Sequence, residues 1–146
     1  MNELREAAEK GNAEAQFNLG LCYENGEGIQ KDLQAAVNWY RQAAEKGNAE
    51  AQYYLGCCCE YGDGIQKDLK AAVKWYRQAA EKDDVESQYS LGFCYEHGEG
   101  IQKDLQVAVK WYRQAAKNGF APAQRKLGDC YSTGRGVKKD LSLIHI

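Results

Sequence analysis

An all-α solenoid built from pairs of helices is the fold this sequence predicts, and three observations predict it. First, a 36-residue segment recurs: AEAQFNLGLCYENGEGIQKDLQAAVNWYRQAAEKGN from Ala13 returns in near copies from Ala49 and Val85 and in a shortened copy from Ala121. That period lies in the range of stacked helical repeats. Second, each copy carries helical apolar spacing twice, at Leu19, Gly20 and Tyr23 and again at Leu33, Ala36, Val37, Tyr40, Ala43 and Ala44. Third, residues with N-cap chemistry precede each stretch, and paired glycines separate the two.

The elements follow in order. NELREAAEKGN at the start aligns with YRQAAEKGN near the end of the first full copy, so residues 2–11 are expected to form a lone second-type helix of a partial repeat. Residues 13–48, 49–84 and 85–120 read as full repeats of a single repeat domain, 121–141 as a partial fourth repeat without its Trp-Tyr helix, and 142–146 as an irregular tail. Asn12, Asn48 and Asp84 stand where an N-cap oxygen would serve the first helix of a repeat, and Asp32, Asp68 and Asp104 stand likewise before the second. Gly26 and Gly28, with their later counterparts, supply the positive φ that ends the first helix and turns the chain. A phosphate-binding G-x-G needs a strand before it and a helix N-terminus after it. Here the pair follows a helix, which makes it a turn.

Composition excludes several classes of partner. The 146 residues are 44% hydrophobic and 27% charged, the balance of a globular protein. A net charge of −2 gives no general attraction for nucleic acid or anionic lipid, so neither is expected as a partner. No apolar run is long enough to span a membrane. The N-terminal MNELREAAEK interleaves charges where a signal peptide needs an apolar segment.

Ala15, Leu19, Gly20, Tyr23, Gly26, Gly28, Ile29, Asp32, Ala36, Trp39, Tyr40, Ala43 and Ala44 make up a pattern that the later copies nearly repeat. In this pattern the chain resembles the Sel-one-like repeat family, relatives of the tetratricopeptide repeat, over almost its whole length. The resemblance implies a right-handed α-α superhelix of antiparallel helix pairs whose first helices line a concave groove. It also implies a non-enzymatic adaptor or scaffold.

Positions that vary between copies are candidates for specificity. Three such series run along the first helix: Phe17, Tyr53, Tyr89 and Arg125; Leu21, Cys57, Phe93 and Asp129; Asn25, Tyr61, His97 and Thr133. Their i, i+4, i+8 spacing puts them on one side of the helix, which by analogy with the tetratricopeptide repeat faces the groove. Glu24, Glu60 and Glu96 form an acidic row beside them. The expected contact set is therefore Phe17, Leu21, Glu24, Tyr53, Cys57, Glu60, Tyr61, Tyr89, Phe93, Glu96 and His97, and the expected partner is a protein or peptide with apolar anchors and basic residues. The regular stripe of Trp39, Trp75 and Trp111 reads as inter-repeat core.

The six cysteines separate by repeat phase. Cys22, Cys58, Cys94 and Cys130 hold one equivalent position, and helices pack about 9–10 Å apart, beyond the roughly 7 Å between α-carbons that a disulfide tolerates. Free, space-filling thiols are expected, and no metal or other cofactor, since no C-x-x-C pair is present. Free thiols suggest a reducing compartment, most simply the cytoplasm, with periplasmic or secreted placement left open. In the run Cys57-Cys58-Cys59, Cys58 is the thiol common to all copies and Cys57 occupies a contact position. Cys59 replaces the Tyr of Tyr23 and Tyr95, and Tyr54 is expected to refill the space so lost.

The reading that best accounts for these residues is an interaction module without catalytic chemistry. His97 and His145 are the only histidines, and neither stands in a pattern that pairs a nucleophile with a base. Two rivals remain: a self-assembling element associating through its terminal faces, and, remotely, a hydrolase.

Overall fold

The computed structural model describes residues 1–137. The expected tail over 142–146, with His145 and the end of the partial fourth repeat, lies outside the described residues. Those described form eight helices and no strand: α1 Asn2–Glu9, α2 Ala13–Asn25, α3 Leu33–Glu45, α4 Ala49–Tyr61, α5 Leu69–Ala80, α6 Val85–His97, α7 Leu105–Lys117 and α8 Ala121–Thr133. The chain divides into two compact units, Met1–Ala79 and Ala80–Ile146. A repeat array has no common centre, because each element packs only on its neighbours, so its core is assembled segment by segment.

Helix boundaries follow the predicted punctuation. Asn12, Asn48 and Asp84 accept from the backbone N–H of Ala15, Ala51 and Ser87 at 2.8, 2.8 and 3.0 Å. Asp32, Asp68 and Asp104 do the same for Ala35, Ala71 and Val107 at 3.1 Å. Every first-type helix ends on a left-handed glycine, Gly26, Gly62, Gly98 or Gly134, whose N–H donates to the cysteine carbonyl one turn back. The fourth start is different. Phe120 replaces the capping residue and makes no side-chain cap, and Pro122 stands in the first turn, where its missing N–H costs no helical bond.

The two helices of a repeat meet at one contact, repeated three times. Tyr40, Tyr76 and Tyr112 are the largest fully buried side chains. Each packs against a glycine of the preceding helix: a Cβ at Gly20 would stand 2.6 Å from the Tyr40 ring, one at Gly56 2.7 Å from Tyr76, and one at Gly92 2.8 Å from Tyr112. Glycine inside a helix costs about 1 kcal/mol relative to alanine, but here only a hydrogen leaves room for the ring.

Successive repeats are joined by a buried glutamine. The Gln16, Gln52, Gln88 and Gln124 side chains donate through Nε2 to the carbonyls of Ala8, Ala44, Ala80 and Ala116 at 3.0–3.2 Å. Each of these carbonyls also accepts the backbone N–H three residues on, from Gly11, Gly47, Asp83 and Gly119, so the glutamine adds a second bond at the end of the preceding second-type helix. The second glycine of G-x-G serves the same junction. Gly64 has φ +71°, and a Cβ there would stand 2.5 Å from the Leu33 carbonyl oxygen, so the turn rests directly on the start of α3.

Cys59 behaves partly as expected. In unit 2 the fourth-repeat Tyr131 takes a 2.8 Å hydrogen bond from Arg113 Nη2, with the guanidinium 6.0 Å from its ring centroid. In unit 1 the equivalent pair is Cys59 and Arg41, and the lost ring leaves an open depression of about 430 Å³ lined by Arg41, Cys59, Ile65, Lys67, Asp68 and Trp75. Tyr54 does not refill it. It sits on the opposite side, 5.2 Å from Phe17 and 5.5 Å from Tyr40 between ring centroids.

Two substitutions test this packing. Gly92→Ala should cost about 1–3 kcal/mol, the usual cost of overpacking, seen as a lower urea midpoint with unchanged helicity. Cys59→Tyr should gain about 0.5–2 kcal/mol by filling the depression and returning a partner to Arg41.

Candidate functional site

In α2, α4 and α6 the predicted contact series begin in or beside the core and become exposed at the last turn, whereas in α8 Arg125 and Asp129 are exposed from the start. Phe17 is 5% exposed, its ring 5.8 Å from Tyr40 and edge-on to Tyr54 at 5.2 Å. Tyr53 and Tyr89 are half-buried and repeat the arrangement, 5.9 Å from Tyr76 and 5.4 Å from Tyr112. Tyr89 also packs on Phe120 at 5.5 Å. The first series therefore extends the tyrosine packing. For Phe17 this corrects the expected contact role, because its ring has no face left for a partner.

Farther along the helices the side chains emerge. Leu21, Cys57 and Phe93 are half-buried. Tyr61 is 68% exposed, and His97 is exposed with its ring 4.2 Å from Phe93. The buried tyrosine spans α2 from Phe17 to Glu24 and leaves the final turn to solvent, which is why exposure grows toward the C-terminal end.

The acidic row has a structural task that sequence reasoning missed. Glu24 accepts a hydrogen bond from the Tyr40 hydroxyl at 2.7 Å, Glu60 from Tyr76 at 2.5 Å, and Glu96 from Tyr112 at 2.6 Å. Burial above all, with the facing carboxylates adding to it, pushes these phenols well above the usual tyrosine value, so they remain donors. A signal for this was present. The glutamates are identical in all three full repeats, and invariance among copies marks scaffold, as it does for Leu19, Leu55 and Leu91.

Glu96 departs furthest from the open groove edge expected of it. It is 5% exposed, and Lys126 Nζ reaches its Oε1 at 3.3 Å, Arg135 Nε its Oε2 at 3.3 Å and His97 Nε2 its Oε1 at 3.8 Å. Burial works against the charge, but the Tyr112 hydroxyl, Lys126 and His97 outweigh it and hold the carboxyl below the ordinary value. Around this cluster lies an open depression of about 560 Å³, lined by Glu96, Lys126, Asp129, Cys130, Thr133 and Arg135.

None of the six cysteines is in a disulfide, and Cys58, Cys59, Cys94 and Cys130 are buried. Burial is the main cause that pushes Cys58 up to about 12, followed by the negative charge of Glu24, with Asp63 adding to it. Burial likewise raises Cys59 and Cys130. Such thiols stay protonated at neutral pH and are poor nucleophiles. Among the described residues, no group of three or more His, Cys, Asp or Glu side chains could hold a metal ion, and no helix is long and apolar enough to cross a membrane.

The tryptophans are less buried than the stripe suggested. Trp39, Trp75 and Trp111 are half-buried. Trp39 packs at the edge of a cluster of Ala8, Ala15 and Leu19, and Trp111 borders an open pocket of about 420 Å³. The tyrosines fill the core that the tryptophans were expected to fill.

Known proteins share this architecture. The family model for the Sel1 repeat matches residues 13–48, 49–84, 85–120 and 121–143. A protective antigen present in uropathogenic Escherichia coli strains, described as displaying an SLR fold, superposes with a TM-score of 0.93 at 42% identity, covering 95% of this chain and 30% of that one. A Sel1 repeat protein from Oxalobacter formigenes gives 0.86 at 42% identity, over 90% of this chain and 54% of the other. The cysteine rich protein B of Helicobacter pylori gives 0.66 at 25% identity, over 83% and 92%. The chain thus spans about a third to a half of the first two relatives. No curated protein matches it.

The Glu96 cluster predicts an acid-sensitive stability. A carboxyl held below its ordinary value of 4.5 contributes stability above that pH and loses it as pH falls through the folded value. Glu96→Gln should cost about 1.5–3 kcal/mol at neutral pH, the range for hydrogen bonds to charged groups. The difference from wild type should shrink below pH 4.5, as read by urea unfolding across a pH series.

Proposed function

The chain belongs to the Sel1 repeat family, and from that premise we propose that it is a non-enzymatic interaction module that grips a segment of a partner protein with the C-terminal ends of its first-type helices. Sel1 repeat proteins generally serve as protein-interaction scaffolds. The observation that carries the reading is the outward aromatic surface on those helix ends. Tyr61 is 68% exposed, and the half-buried Leu21 and Cys57 lie on the same side of their helices in unit 1. Phe93, packed at a tilt against His97, plays the corresponding part in unit 2. Tyrosine offers a large, rigid, amphipathic contact at low entropic cost, the usual chemistry of an interface anchor.

The partner that fits is an extended or helical protein segment with apolar anchors and basic residues, drawn by the carboxylates beside the aromatics. A non-catalytic role agrees with thiols that stay protonated and with carboxylates already engaged by buried phenols. Buried thiols outside any disulfide also suit a reducing compartment, and we place the protein in the cytoplasm on that ground.

Tyr53 and Tyr89 are poor test positions because they support the core, so the test falls on Tyr61 and Phe93. A random-peptide display library panned on the protein should yield binders with aliphatic or aromatic anchors. Tyr61→Ala with Phe93→Ala should weaken them at least tenfold in calorimetric titration, about 1.4 kcal/mol, with thermal melting unchanged. Binders indifferent to this pair of changes, or no binder at all, would reject the surface.

A further inference from the structure

Glu96 already holds cations, and they come from the chain itself. Lys126 on α8 and Arg135 in the turn after it contact the two oxygens of the carboxylate at 3.3 Å each, beside His97 and the buried hydroxyl of Tyr112. Unit 2 therefore shows what this carboxylate, presented on a first-type helix and anchored by a tyrosine, accepts: an ammonium and a guanidinium.

Two repeats earlier, in unit 1, the same framework stands without those cations. Glu24 accepts from Tyr40 as Glu96 does from Tyr112. In the places of Lys126 and Arg135, however, the chain has Tyr54 and Asp63, and in the places of Asp129 and Thr133 it has Cys57 and Tyr61. Glu24, Cys58 and Tyr54 gather around Tyr40, whose hydroxyl Glu24 holds at 2.7 Å and whose ring lies 5.5 Å from that of Tyr54. The Cys58 thiol lies in the negative field of both Glu24 and Asp63. A site that in unit 2 is neutralised by two built-in cations has in unit 1 a second carboxylate and an exposed tyrosine instead.

We propose that Glu24 and Asp63 in unit 1, with the exposed Tyr61 two residues before Asp63, are the seat for a basic side chain, lysine or arginine, of the partner segment, and that Lys126 and Arg135 close the equivalent seat at Glu96. This rests on the interaction role proposed above and gives it a polarity: the partner's positive charge lies on unit 1. The carboxylates supply the charge. The exposed Tyr61 ring supplies a face over which a cation is attracted, and the Tyr40 hydroxyl keeps Glu24 in place.

The probes are positional-scanning peptide pools in which the fixed residue is arginine, citrulline or glutamate, with binding read by fluorescence polarisation. Arginine pools should bind at least tenfold tighter than citrulline pools, which have the same shape without the charge, and the preference should weaken as salt rises. Glu24→Gln with Asp63→Asn should abolish the preference and keep the fold, since the amide oxygen introduced at position 24 can still accept from Tyr40. Lys126→Tyr with Arg135→Asp should open the seat in unit 2 and strengthen binding of pools with two arginines. If arginine and citrulline pools bind alike while Tyr61→Ala still abolishes binding, the proposed seat is wrong and the interaction surface stands. If no pool binds at all, both fall.

Discussion

Everything in this molecule hangs on a tyrosine ring pressed against a glycine. Tyr40, Tyr76 and Tyr112 have no room beside any larger residue than Gly20, Gly56 and Gly92, so the approach of the two helices in a repeat is set by the contact of ring with bare backbone. The hydroxyl at the far end of the ring must find a partner, since a buried polar group left unpaired costs about 1–3 kcal/mol, and the glutamate one turn beyond the glycine supplies it. Glycine, tyrosine and glutamate thus act as a single unit. The aromatic at the Phe17 position covers the other edge of the ring and completes the enclosure.

That geometry explains which parts of the fold were legible in the sequence. Period, helix count, N-caps and left-handed glycines are local properties, decided within one turn of chain, and they could be read from Asn12, Asp32 and Gly26 without knowing what lay opposite. The contact face was harder. Phe17, Tyr53 and Tyr89 vary among copies, and variation on a repeated frame reads as a surface. A ring that only needs to cover another ring can be phenylalanine or tyrosine equally well, so variation there reflects tolerance of the packing. Conversely, Glu24, Glu60 and Glu96 do not vary, because each answers a hydroxyl sixteen residues ahead, and a charged residue invites being placed in solvent when its partner lies across a helix pair.

The Cys57-Cys58-Cys59 run shows the same limit on a smaller scale. Repeat phase separated the three residues into distinct roles, and the missing ring at Cys59 does leave a depression beside Arg41. Tyr54, a ring where the other full copies have Asn18 and Ser90, is the residue the sequence offers to refill it. In a helix, residues five apart point about 140° away from one another at 3.6 residues per turn, and Tyr54 accordingly packs on Phe17 and Tyr40.

The buried glutamines give the array an evolutionary grammar. Gln52 caps Ala44 and Gln88 caps Ala80 with the same separation along the chain, so the bond is written across the junction of two copies and not within either. Removing residues 49–84 would join Asn48 to Val85 and place Gln88 where Gln52 had been, with the carbonyl of Ala44 within its reach. Unequal recombination between copies can therefore lengthen or shorten such a chain by whole repeats without leaving a donor or an acceptor stranded at the splice. Array length is free to drift, while the chemistry of each junction is inherited intact.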